Sequence, residues 1–121
     1  DFDNDGDLDV LVTHMTAAPS LYRNDSRPAT WLGLELVGNG QSCNRDAVAS
    51  KVELQAADGS RQFREVYANN GLAAQSDRRL LFGLGQQPAG EVSLTIRWCG
   101  RDDLRQSVRL RSGQYHRVAQ P

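Results

Sequence analysis

The sequence predicts an all-β protein: an antiparallel β-sandwich or barrel-like domain preceded by a short N-terminal hairpin. Three observations carry this expectation. Apolar and polar residues alternate through six or seven short segments. Turn residues separate these segments at roughly ten-residue spacing, the rhythm of a sandwich or barrel. No stretch sustains the helical period for long enough to read as a long helix.

Taken in order, the chain opens with "DFDNDGDLDV", in which Asp1, Asp3, Asp5, Asp7 and Asp9 occupy every second position. Leu8 to Val12 then reads as a strand, and "SLYRND" (Ser20 to Asp25) as its short return after Ala17-Ala18-Pro19. A break follows near Arg27 to Thr30. "WLGLELVG" places Leu32, Leu34 and Leu36 on one face, and "SKVELQA" does the same for Val52, Leu54 and Ala56. Asp58-Gly59 predicts a hairpin turn into "SRQFREVYA", which returns with Phe63 and loses alternation near Glu65-Val66-Tyr67, where a bulge is expected. "RRLLFGLG" is a short apolar run. "EVSLTIRW" aligns Val92, Leu94, Ile96 and Trp98. "LRQSVRLRSG" fits both periods, and its shortness favours strand. "QYHRVA" closes the chain. The expected core joins Leu32, Leu34, Leu36, Val52, Leu54, Val92, Leu94 and Ile96.

The 121 residues suit one domain with a modest core. A net charge of -1 argues against a nucleic-acid partner, which calls for a basic patch or stripe. No apolar stretch approaches the roughly 20 residues of a membrane span. The chain reads as a piece of a longer protein. Cys43 and Cys99 are compatible with two buried thiols or with one disulfide, and their separation disfavours a zinc motif.

The acidic stretch has a chemical reading. Carboxylates two apart repel one another on a straight strand but serve a cation if the chain curls around it. Calcium takes about six to eight oxygen ligands, including carboxylates and backbone carbonyls. Gly6 supplies the freedom such a curl needs. Asp1, Asp3, Asp5 and Asp9 are expected to offer side-chain oxygens. Asp7 is expected to offer its carbonyl and to point its carboxylate outward. An EF-hand is disfavoured, because its twelfth position needs a bidentate acid and here holds Val12. Magnesium, which prefers a small octahedral shell, fits less well. The bland reading is a solvated acidic turn with no ion.

"DFDNDGDLDVLV" followed by "LYRND" resembles the FG-GAP/VCBS calcium-loop repeat, which forms propeller blades in integrin α chains and in secreted bacterial proteins. The later stretches "WLGLELVG", "NRDAVASKVEL", "REVYANNGLAAQSDRRLLFGLG", "IRW" and "SGQYHRV" resemble the ASPIC/UnbV domain. The two resemblances divide the chain into residues 1–27, a partial propeller-blade hairpin, and residues 28–121, an ASPIC/UnbV-like C-terminal β domain. Calcium is then the expected cofactor, held weakly or not at all by this chain alone and better in a full-length parent. Three positions depart from the ASPIC/UnbV pattern: Ala49 stands where glycine is usual, Ala73 where a bulkier residue is often found, and Cys99-Gly100-Arg101 where Pro-Ser-Gly usually follows the Arg-Trp pair.

No catalytic residue is expected. Asn44-Arg45-Asp46 and Gln75-Ser76-Asp77 read as turn devices. His14 and His116 lack a nucleophile context, and "FGLGQQ" lacks the lysine of a phosphate loop. Asp102 and Asp103, adjacent in sequence, would face opposite sides of a strand. Trp31 and Trp98 read as core or rim, although an exposed pair would suit a sugar. Asn24-Asp25-Ser26 is a formal glycosylation sequon. The expected function is a non-catalytic, calcium-associated extracellular module for adhesion or recognition, the C-terminal part of a larger secreted repeat protein. The alternative is a carbohydrate-binding or enzyme-accessory β-sandwich. Expected partners are an extracellular protein or glycan and the upstream propeller repeats of the same chain. The expected location is extracellular: secreted, periplasmic or on the cell surface.

Overall fold

The structure, a computed structural model, describes residues 1–26, 29–56, 58–69, 71–100 and 103–121. Arg27 and Pro28 of the expected boundary, with Arg101 and Asp102, lie outside the described residues. The described residues form nine strands and no helix: β1 (Val10–Val12), β2 (Ser20–Tyr22), β3 (Thr30–Val37), β4 (Lys51–Gln55), β5 (Arg61–Glu65), β6 (Leu80–Gly85), β7 (Glu91–Arg97), β8 (Arg105–Arg111) and β9 (Tyr115–Ala119). Seven of them build a sandwich. One sheet runs β6-β3-β9 and the other β5-β4-β7-β8, while β1 and β2 form a separate hairpin.

Alternation explains the core. β3 turns Leu32, Leu34 and Leu36 inward, and β6 adds Leu80, Phe82 and Leu84. The facing sheet supplies Val52 and Leu54 from β4 and Val92, Leu94 and Ile96 from β7, all buried. In-register pairs such as Val52 with Ile96 and Leu54 with Leu94 keep these side chains on one face. Val108 and Leu110 of β8 pack against this core while half-buried. Burial of these faces against each other is what drives the two sheets together.

β3 and β9 run parallel, with Gly33 opposite Tyr115, whereas the other strand pairs are antiparallel. The sandwich does not close into a barrel. At the β5–β6 corner, side chains replace strand pairing: the Gln62 amide donates to the Gly83 carbonyl (2.7 Å), and Arg64 Nε donates to the Leu81 carbonyl (3.3 Å). The Arg64 guanidinium also covers the Phe82 ring at 5.5 Å. These polar groups blunt the exposed edge of β6.

Two expectations are refined locally. The hairpin after β4 forms, but Ala56 pairs with Ser60, so its connection is three residues long and not two. Gly59 takes φ +84° there, as a three-residue loop with a left-handed residue requires. β4 and β5 pair in unbroken register from Lys51–Glu65 to Gln55–Arg61. Just beyond it, Ala49 and Ser50 together face Val66: the Ala49 amide donates to the Val66 carbonyl (2.9 Å), the Val66 amide donates to the Ser50 carbonyl (3.0 Å), and Ala49 takes φ +74°. The expected bulge near Val66 is therefore present, with its extra residue on the strand that faces β5. Val66 is buried and pairs on with the backbone of Ala49 and Ser50, while Phe63 faces outward and is 65% exposed.

Cys43 and Cys99 form a disulfide with 5.0 Å between Cα atoms. It ties the loop after β3 to the end of β7. Asn44 organises the adjoining turn, accepting from the Val48 amide and donating to the Val48 carbonyl, both at 3.0 Å. Asp46 meets Arg78 at 2.6 Å. Trp98 is 2% exposed and bonds Gln106 through its indole N–H.

Candidate functional site

The acidic loop curls as its composition suggests. Asn4 and Gly6 take φ of +61° and +96°, and the chain between them turns back on Asp1. Asp1 Oδ1 accepts from the Asp5 amide (3.1 Å) and Oδ2 from the Gly6 amide (3.2 Å). Asp5 caps the next turn by accepting from the Asp7 amide (2.9 Å). Asp9 clamps both ends of the hairpin, with Oδ2 accepting from the Phe2 amide and Oδ1 from the Asn24 amide, each at 2.8 Å. The Asn24 and Phe2 amides hold the Asp9 carboxyl below its ordinary value, because hydrogen bonds to the charged form favour it.

Asp1, Asp3 and Asp9 each present a carboxylate oxygen within 4.8 Å of the others. Calcium–oxygen distances are about 2.3–2.6 Å, so oxygens around one ion lie up to roughly twice that apart. The three carboxylates therefore fit a hard divalent cation. Asp5 and Asp7 stand outside this cluster. Asp3 also faces Arg23 at 3.9 Å.

Side chains far away in sequence hold this loop from beneath. The Tyr115 hydroxyl donates to Asp1 Oδ2 at 2.6 Å. Arg79 donates to the Asp1 carbonyl at 2.8 Å and also to Asn4 Oδ1. The Arg79 guanidinium lies 4.2 Å from the centre of the Tyr115 ring and pairs with Asp77 at 2.6 Å. The Asp77 bond raises the Arg79 pKa. Burial raises the Tyr115 pKa, against the pull of Arg79. Trp31 packs on Tyr115 with ring centres 5.2 Å apart.

Two glycines make this dock possible. A side chain at Gly6 would strike the Trp31 indole, and one at Gly33 would strike the Tyr115 ring. In the sequence Asp77 has the look of a turn residue, Trp31 of core or rim, and Tyr115 and Arg79 of nothing more than members of strand-forming stretches. Nothing local in the sequence links them to the acidic loop, since their meeting depends on the β3–β9 and β3–β6 pairings.

The other candidates lie apart. His14 meets the Ser20 hydroxyl at 3.3 Å on the exposed hairpin, and His116 meets the Arg111 carbonyl at 2.7 Å. Asp103 pairs with Arg97 and Arg105. With Trp98 buried and Trp31 packed on Tyr115, the two tryptophans offer no shared sugar platform. A groove of about 970 Å³ opens between the acidic loop with β1 and the β5–β6 corner. Leu8, Leu11, Phe63, Arg64 and Tyr67 line part of it.

No curated protein and no solved structure matches the chain. The family model described as ASPIC and UnbV matches residues 40–121. That span takes in β4 to β9, both disulfide cysteines, Asp77, Arg79 and Tyr115. The match covers more than half of the 121 residues, and the chain belongs to the ASPIC and UnbV family.

Proposed function

We propose that this protein is a non-catalytic extracellular recognition module whose acidic loop binds calcium as a structural ion. ASPIC and UnbV domains typically stand at the C-terminal end of larger proteins of extracellular type. The carrying observation is the convergence of Asp1, Asp3 and Asp9 on one point at the entrance to the β1–β2 hairpin. Bound calcium offsets the mutual repulsion of these carboxylates, and its binding energy becomes folding energy for the loop. The loop and hairpin are the end of an FG-GAP/VCBS-type repeat, and upstream repeats of the same chain are its neighbours. A two-stranded hairpin is marginal by itself, and Leu8, Val10, Leu11, Leu21 and Tyr22 are all more than half exposed. The disulfide favours an oxidising compartment, which supports secretion, the periplasm or the cell surface. Adhesion is the role this reading assigns to the parent.

The experiment is thermal unfolding with calcium, with magnesium and with chelator. Calcium at about one hundred times its Kd adds about 2.7 kcal/mol, a shift of several degrees that chelator reverses. Asp3→Ala should remove the shift, and Asp7→Ala should leave most of it. An unchanged melt with and without calcium, in this chain and in one extended upstream, would sink the calcium reading.

A carbohydrate-binding role is the second reading. The groove supports it through Phe63 and Tyr67, which are 65% and 55% exposed beside Arg64. Exposed aromatic rings offer apolar faces to a sugar. Glycan-array binding abolished by Phe63→Ala would favour it, and a blank array would remove it.

A further inference from the structure

We propose that Arg79, Tyr115 and Asp77 of the sandwich are positioning residues for the acidic loop, so that the sandwich sets how well the loop holds a cation. This rests on the calcium reading for its ligand, but its structural half stands without it.

The argument starts from Asp1. Its carboxylate is the hub of the loop, accepting from the Asp5 and Gly6 amides. A side chain so placed must be fixed in one rotamer to act as a ligand. The fixing donor is the Tyr115 hydroxyl, the shortest of the three bonds at 2.6 Å. Tyr115 is itself seated by Gly33, whose missing Cβ leaves room for the ring, and by Trp31 beside it. Arg79 holds the other side of the turn through the Asp1 carbonyl and Asn4 Oδ1. The loop is therefore held at three places by groups of the other module.

Arg79 raises an electrostatic problem that Asp77 solves. A guanidinium bonded to the loop that carries the carboxylates opposes any cation they bind. Here Arg79 Nε and Nη2 both meet Asp77 Oδ2, at 2.7 and 2.6 Å. This paired charge lets Arg79 donate hydrogen bonds to the loop without presenting a full uncompensated positive charge to the site. Among the described residues Asp77 makes its hydrogen bonds and ion pair with Arg79 and none with the acidic cluster, yet its loss should weaken cation binding. A turn residue with only a local role would have no such reach.

The test combines backbone relaxation of the intact protein without metal with a calcium titration by calorimetry. The variants are Tyr115→Phe, Arg79→Gln and Asp77→Asn, with Arg109→Gln on the outer face of β8 as the control. In the wild type the Gly6 amide should be as rigid as the strands, with an order parameter near 0.85. In Tyr115→Phe and Arg79→Gln it should fall towards about 0.6, while Leu94 and Ile96 amides keep their wild-type values. Those core amides report that each variant is folded. Calcium binding should weaken by roughly tenfold or more in all three variants, the range seen when groups that orient metal ligands are removed, and should be unchanged in the control. Unchanged Gly6 order in both Tyr115→Phe and Arg79→Gln would overturn the proposal. So would calcium affinity that survives Asp77→Asn alongside Arg79→Gln. If neither the wild type nor a chain extended upstream binds calcium, the calcium reading fails, and the Gly6 comparison still decides whether the sandwich holds the loop.

Discussion

Tyr115 and Asp1, 114 positions apart, are joined by a 2.6 Å hydrogen bond from phenol to carboxylate. The bond connects the final strand of the sandwich to the first residue of the acidic loop. It also passes over Gly33, where any side chain would displace the ring. A conformational contact of this kind links the stability of the loop to that of β3 and β9. Gly33→Ala is expected to cost roughly 1–3 kcal/mol, the usual range for overpacking, and to loosen the loop. Denaturant unfolding measures the first effect, and Trp31 fluorescence, sensitive to packing against Tyr115 and Gly6, reports the second.

The core prediction concerns β7. Leu94 is 2% exposed and Ile96 is fully buried, each facing β4 across one sheet and β3 with β6 across the gap. Leu94→Ala or Ile96→Ala should cost about 2–5 kcal/mol. A loss below about half a kcal/mol at both positions would mean the core lies elsewhere.

Ala49 gives a stabilising prediction. It takes φ +74°, a left-handed conformation that crowds its Cβ, and it is exposed. The glycine usual at this place in the resembled family is thereby explained. Ala49→Gly should stabilise by about 0.5–1 kcal/mol, the relief of strain being partly offset by the freedom glycine gives the unfolded chain. Ala47 has φ +52° but is fully buried, so Ala47→Gly trades the same relief against lost packing and should gain nothing. Paired chemical denaturation curves separate the two.

The disulfide closes a loop with a sequence separation of 56. The chain-entropy account assigns such a loop about 4 kcal/mol, and measured values usually run about 2–4. Replacing both Cys43 and Cys99 by serine should lower stability by that amount, with an added cost from placing a hydroxyl at the buried Cys43 position. Equal melting of the oxidised wild type and the double variant would refute this.

Asp77 predicts a pH dependence. Burial pushes its pKa up, but the side-chain and backbone bonds from Arg79, with the Arg79 charge, outweigh that and hold it below 3.8. A carboxyl with a lowered folded pKa contributes stability that is fully present above the ordinary value and lost as pH falls through the folded one. The wild type should therefore melt higher than Asp77→Asn at neutral pH, and the difference should shrink in acid below 3.8. A gap that stays constant into acid would mean the Asp77 charge contributes nothing.

Much of this protein follows from its sequence alone. Period-two alternation placed Leu32, Leu34 and Leu36, and likewise Val92, Leu94 and Ile96, on buried faces, because a pleated strand puts successive side chains on opposite sides. The charge density of the acidic stretch and the freedom of Gly6 point to a curl that brings Asp1, Asp3, Asp5 and Asp9 together. The tertiary structure gathers Asp1, Asp3 and Asp9, while Asp5 turns to the Asp7 amide. Other features needed the tertiary structure. Phe63 fits an alternating pattern but faces solvent, because the register with β4 sends it outward while Val66 turns in. Cys43 and Cys99 were compatible with free thiols until two distant loops were brought within 5.0 Å. Arg79, Tyr115 and Trp31 carry no local sign of their role. They meet the acidic loop only because β6, β3 and β9 lie side by side, and strand order is fixed by the mutual burial of whole faces, which no short stretch of sequence encodes by itself.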